Sequence, residues 1–159
     1  MQNNIIYHLK LDYIATCAKQ EFKILGIDYG TKKIGTALFH SSINHVIPLG
    51  VVINKQSPIA LISQLIQEYN CIAVVIGITQ NSHIAKNVLE LQKAIEINLG
   101  IPVLLADESL TTFTANEILK EIGVKRSNRH KIDDAIAAEL ILESFICDLR
   151  QYLDTKKKD

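Results

Sequence analysis

Tryptophan is absent from this 159-residue chain, and only five Tyr and four Phe supply aromatic rings. No platform for stacking nucleic-acid bases is therefore advertised. Charge of one sign is not in excess either, since 17 Lys and Arg balance 17 Asp and Glu. That balance excludes a uniformly basic coat but leaves room for a local basic patch. The three cysteines, Cys17, Cys71 and Cys147, are odd in number and widely spaced. They form no CxxC pair, so neither a zinc knuckle nor a disulfide framework is expected. A reducing cytosol is the expected setting, with Cys71 and Cys147 as small buried apolar residues. No apolar run reaches membrane-spanning length, and the N-terminus lacks the basic-then-apolar layout of a signal peptide. The expectation is a cytoplasmic protein with no membrane partner.

What is present is ordinary for a globular domain: 48% hydrophobic and 21% charged residues, in a chain long enough to bury one core. Residues 1–20 precede the first clear strand, and Ile6, Leu9, Tyr13 and Ile14 could stripe a short helical arm. Strands are expected over Phe22–Asp28, Lys33–Phe39 and Val46–Ile53, joined by short turns as an antiparallel meander. Ser57-Pro58 opens a helix striped by Ile59, Ile62, Leu65, Ile66 and Tyr69, which Asn70 can close. Cys71–Ile78 is apolar on both faces, the pattern of a central parallel strand covered by helices. A second helix carries Ile84, Val88, Leu91, Ile95 and Leu99 and ends at Gly100. Val103–Ala106 is a short fifth strand, and a third helix follows Thr111 or Thr112 and stops at Gly123. Residues Val124–Lys131 read as a basic loop, and a last helix as Ile132–Tyr152. The expected fold class is α/β, a mixed five-stranded sheet with helices on both faces. Its boundaries are an arm over 1–20, one domain over 21–152 and a flexible basic tail over 153–159.

Acids stand at three element ends: Asp28 after the first strand, Asp107-Glu108 after the fifth, and Asp133-Asp134 near the start of the last helix. Each has a plain alternative. Asp28 could stabilise a turn, Asp107 and Glu108 could cap the next helix, and Asp133 and Asp134 could favour a helix N-terminus. Sites in open α/β sheets form outside the carboxyl ends of parallel strands. If strands one and five run parallel, their acids reach one rim, where the last helix can bring Asp133 alongside. Oxygen ligands from three segments suit a hard divalent cation, and two such metals cleave phosphodiesters.

Four segments together resemble the YqgF/RuvX family. They are Asp28-Tyr29-Gly30-Thr31-Lys32-Lys33-Ile34-Gly35, Val75-Ile76-Gly77, Asp107-Glu108-Ser109-Leu110-Thr111-Thr112, and Lys131-Ile132-Asp133, over roughly residues 22–150. The resemblance implies an RNase H-like fold related to Holliday junction resolvases. It also implies a metal-dependent endonuclease that trims the 5′ end of precursor 16S rRNA. It makes Asp28, Glu108 (or its neighbour Asp107) and Asp133 the metal-binding catalytic acids, with Mg²⁺ or Mn²⁺ as cofactor. Gly30, Thr31, Thr111 and Thr112 would support the site. The chain departs from the family pattern in three places. Ser109 stands where an Arg is usual, and a serine cannot hold a phosphate bidentately. The loop Gly77-Ile78-Thr79-Gln80-Asn81-Ser82-His83 is shortened and lacks the usual Asp. The N-terminal arm is longer than the family needs.

Lys32 and Lys33 flank Asp28, and Lys125, Arg126, Arg129, His130 and Lys131 precede Asp133. Phosphate contacts supply most nucleic-acid affinity, so both clusters are candidate binding residues, though solvated loop charges would look the same. His83 could approach the site as a proton shuttle, or lie at the surface. The expected partner is structured RNA, a precursor rRNA or a ribosomal particle. Branched DNA is the alternative substrate, a non-catalytic ribosome-assembly factor the alternative class, and a homodimer making paired cuts is left open.

Overall fold

The structure is a computed structural model that describes residues 2–54, 58–78, 82–107 and 126–156. Within these ranges the side chains of residues 2–4, 82, 107 and 126–133 are not described. Helix α1 (Gln2–Cys17) leads into strands β1 (Lys23–Tyr29), β2 (Lys33–His40) and β3 (His45–Ile53). Then follow α2 (Pro58–Tyr69), β4 (Ala73–Ile78), α3 (Ser82–Leu99), β5 (Val103–Asp107) and a long helix, α4 (Arg126–Lys156). The sheet order is β3-β2-β1-β4-β5. Strands β1, β2 and β3 pair antiparallel, while β4 pairs parallel with both β1 and β5. The expected mixed five-stranded sheet is therefore present, with β1 at the switch between its two halves.

Two apolar layers cover the sheet. On one face Ile24, Ala37, Phe39, Val75 and Leu104 pack against Ala138, Ile141, Leu142 and Phe145 of α4. On the other, Leu25, Ile27, Leu38, Val74 and Ile76 pack against Ile62 and Ile66 of α2 and Val88, Leu91 and Ile95 of α3. Strand β4 is buried on both faces, as its unbroken apolar run requires. The expected turn chemistry appears at the helix ends: Asn70 adopts φ 54° and Gly100 φ 66°, the left-handed conformation that closes a helix.

Four expectations are corrected. Helix α4 begins at Arg126, so Arg126, Arg129, His130 and Lys131 lie in helix rather than in a basic loop. No Gly or Pro occurs after Gly123, so nothing in the chain stops the helix from reaching back past Asp133. Its other end runs on to Lys156, so residues 153–156 are helical and not a flexible tail. Tyr152 and Lys156 there meet Asp12 of α1, at 2.7 and 3.1 Å. On α1 the buried residues are Leu11 and Ile14, while Ile6, Leu9 and Tyr13 are exposed. The helix is apolar around much of its circumference, and Lys10 adds polar contacts to the docked face. The Lys10 ammonium donates to the Val103 carbonyl at 2.7 Å and pairs with Glu96 at 2.7 Å. Finally, Cys147 is exposed, because α4 turns its neighbours Phe145, Ile146 and Leu149 inward. Cys71 is buried, and burial pushes its thiol up to about 12. The expected helix between Thr111 and Gly123 lies outside the described residues, as do Ser57 and residues 79–81.

Candidate active site

Strand β1 carries one acid, Asp28, next to its carboxyl end. Ile24 and Gly26 lie on the α4 face of the sheet, and the two-residue period puts Asp28 there as well. Its register partners are Gly35 on β2 and Gly77 on β4, and Gly77 in turn is level with Ala106 on β5. The carboxylate thus stands in a row whose other members have little or no side chain. On the β2 side the α4 backbone occupies the space left at Gly35, while toward β4 and β5 the row continues with Gly77 and Ala106.

Helix α4 crosses this row. A Cβ added at Gly35 would collide with the Asp134 carbonyl, and one at Gly26 would fall 2.8 Å from Leu142 Cβ. Glycine at these positions lets the helix backbone rest directly on β1 and β2. Contact passes from Leu142 and Ala138 at Gly26 to Asp134 and Ala135 at Gly35. The helix therefore runs antiparallel to β1, and residues 126–133 continue beyond the row for about 12 Å. Asp133 and Asp134 are not in the first turn of α4, so a helix-dipole role, confined to that turn, does not account for them.

Asp107 is the last residue of β5 and pairs with Ile78, one position past the row that holds Asp28. Two strand spacings, about 10 Å, separate the β1 and β5 backbones. The chain therefore brings the backbones of Asp28, Asp107 and Asp134 to the same edge of the sheet. Glu108, Thr111, Thr112 and Lys125 lie outside the described residues. So do the side chains of Asp107, Arg126, Arg129, His130, Lys131 and Asp133. Among the described residues, no three His, Cys, Asp or Glu side chains gather as a metal cluster.

The turn after Asp28 holds Gly30, Thr31 and Lys32, and Lys33 opens β2; Thr31, Lys32 and Lys33 are exposed. A Cβ at Gly30 would strike the Lys33 carbonyl, so the turn is tight enough to require glycine there. Asn54, just past β3, donates from its side-chain amide to the Gly30 carbonyl at 2.8 Å and from its backbone N–H to the Lys32 carbonyl at 2.9 Å. The amino-acid sequence gives no sign of this brace, because an Asn after a strand is an ordinary loop residue. His83 is exposed near the start of α3.

The profile of the RuvX family, described as Holliday junction resolvase, matches residues 22–148. The chain belongs to the RuvX family. A Rickettsia felis relative, described as a candidate pre-16S rRNA nuclease, is 36% identical over 138 residues, covering 80% of this chain and 88% of that protein. A Rickettsia bellii relative of the same description is 37% identical over 134 residues, covering 77% and 84%. Among solved structures, the fowlpox virus Holliday junction resolvase aligns with a TM-score of 0.56 at 15% identity, over 80% of this chain and 99% of that one. The same resolvase with Holliday junction DNA gives 0.55 at 13% identity. This likeness and the sheet order make the RuvX chain RNase H-like in fold. The profile begins after α1, so the arm lies outside the part that carries the family likeness.

Proposed function

We propose that this RuvX protein is a metal-dependent phosphodiester endonuclease that processes the 5′ end of precursor 16S rRNA during ribosome biogenesis in the cytoplasm. The observation that carries the reading is Asp28, set in a row of small residues at the sheet edge where the β5 and α4 backbones arrive. The names of the relatives support RNA as substrate. The description of the family profile supports branched DNA as the second reading. No described helix is long and apolar enough to cross a membrane.

An all-oxygen donor set suits Mg²⁺ or Mn²⁺. Asp28, Glu108 and Asp133 would hold the ion. Leu104 and Ala106 pack toward α4, whereas Val103 and Leu105 pack toward the opposite layer. Either Glu108 or its neighbour Asp107 would complete the set after β5. When bound, the metal would supply a hydroxide nucleophile near neutral pH and stabilise charge on the leaving oxygen. The chain's own part is to fix Asp28 on a strand and Asp133 on a helix rather than on loops, with Thr111 and Thr112 supporting the site. Lys32 and Lys33 would meet phosphates on one side of Asp28. Arg126, Arg129, His130 and Lys131, on the overhang of α4, would meet them on the other, with Lys125 just before it. Ser109 removes one bidentate phosphate contact, and these two basic groups take over the grip.

Substrate choice is tested by offering a precursor 16S 5′-leader transcript and a synthetic four-way DNA junction under equal Mn²⁺ concentrations. Site-specific cleavage of the transcript is expected. Cutting of the junction alone would support the resolvase reading, and cutting of neither would support a non-catalytic assembly factor.

A further inference from the structure

We infer that Asn54 is a positioning residue for substrate grip: it clamps the turn 30–32 and thereby presents Lys32 and Lys33 to the phosphate backbone. The inference rests on the nucleic-acid reading above. Tyr29 and Ile34 are the last pair of the β1–β2 ladder, so the turn beyond them has no strand partner of its own. Strand β3 ends with Ile53 opposite Lys33, which puts Asn54 level with Lys32. From there one residue makes two bonds, to Gly30 and to Lys32, across the whole turn. The side-chain bond is the one that a substitution can remove, since the backbone bond belongs to any residue but proline.

The clamp acts on the lysines and not on Asp28. The acid is held by strand pairing on both sides, to Gly35 and to Gly77, whatever happens in the turn. Exposed lysines on an unclamped turn would each have to be ordered on binding, which weakens affinity without altering the reacting groups. Binding and turnover should therefore separate.

The test is Asn54→Ala, measured with the precursor 16S 5′-leader transcript. Its dissociation constant in EDTA, where no metal-dependent cleavage occurs, is expected to rise about fivefold to tenfold. The kcat in Mn²⁺ is expected to stay within about twofold of wild type. Amide hydrogen exchange should accelerate at residues 31–33 and nowhere in β4. In a Lys32→Gln, Lys33→Gln background the same substitution should add almost nothing, because its route to the RNA has been removed. Unchanged affinity, a kcat loss as large as the affinity loss, or full additivity with the lysine variants would overturn the inference. Binding in EDTA is independent of catalysis. A protein that binds but does not cleave refutes the nuclease reading while still judging Asn54.

Discussion

Gly35 shows how much of the candidate site depends on a missing side chain. Its α-carbon meets the Asp134 carbonyl of α4 directly, beside Asp28 in the register. Gly35→Ala forces helix and strand apart, with an overpacking cost of about 1–3 kcal/mol. A shift of that kind next to the acids should lower cleavage at least tenfold. Chemical denaturation and single-turnover cleavage check both numbers, and a fully active, fully stable variant contradicts the placement. Gly35 stands in the sequence motif, but its neighbour there is invisible, because Asp134 lies far along the chain. Asn54 was hidden for another reason, since an Asn after a strand is an ordinary loop residue. A second residue-scale prediction concerns the thiols. Burial pushes Cys71 from its ordinary 9.0 up to about 12, whereas Cys147 is exposed. Iodoacetamide at pH 8 should alkylate Cys147 and spare Cys71 in the folded protein, as read by peptide mass mapping. The folded state favours the neutral Cys71 thiol, so its stabilising contribution is complete below pH 9 and declines as pH rises toward 12.

Among the elements, the strands were the most legible. Val74, Val75 and Ile76 announce a strand buried on both faces, and β4 is one. Helix ends were harder. Asp133 and Asp134 resemble the acidic first turn of a helix, yet α4 begins at Arg126 because no breaker intervenes. Helix α1 failed differently. Apolar residues at 5, 6, 7, 9, 11, 13 and 14 leave the period unable to choose a face, and the docked face is marked by buried Leu11 and Ile14 with the contacts of Lys10 and Asp12. This ordering is testable by paired truncations. Leu11, 5% exposed, should cost about 2–5 kcal/mol as Leu11→Ala, and Leu9, 62% exposed, less than about 0.5 kcal/mol. Urea unfolding reads the difference, and equal costs would mean that α1 docks by another face. Neither substitution should alter cleavage per folded molecule, since α1 lies outside the part that carries the family likeness.

For the whole molecule, a formal net charge of zero conceals an uneven layout. In the chain, basic residues follow Asp28 in the turn after β1 and precede Asp133 on the overhang of α4. If that overhang contacts phosphates, RNA affinity falls steeply with salt, and Arg126→Gln with Arg129→Gln lowers the slope of log K against log salt by about 2. An unchanged slope would remove the overhang from the interface. Fold and family were both legible from the sequence, because the motifs at Asp28 and Asp133 bracket most of the domain. The seating of α4 on Gly26 and Gly35 was not, because it joins residues far apart in the chain.

The proposed chemistry turns on Asp28 as a metal-binding catalytic acid. Its most direct test is the rate of precursor 16S 5′-leader cleavage by wild type and by Asp28→Asn across a Mn²⁺ titration. The substitution keeps the shape and removes the charge. Cleavage should require Mn²⁺ in the wild type and fall at least about 100-fold in the variant, with RNA binding retained. Cleavage that persists in Asp28→Asn at the wild-type rate and with the wild-type metal dependence would contradict that role.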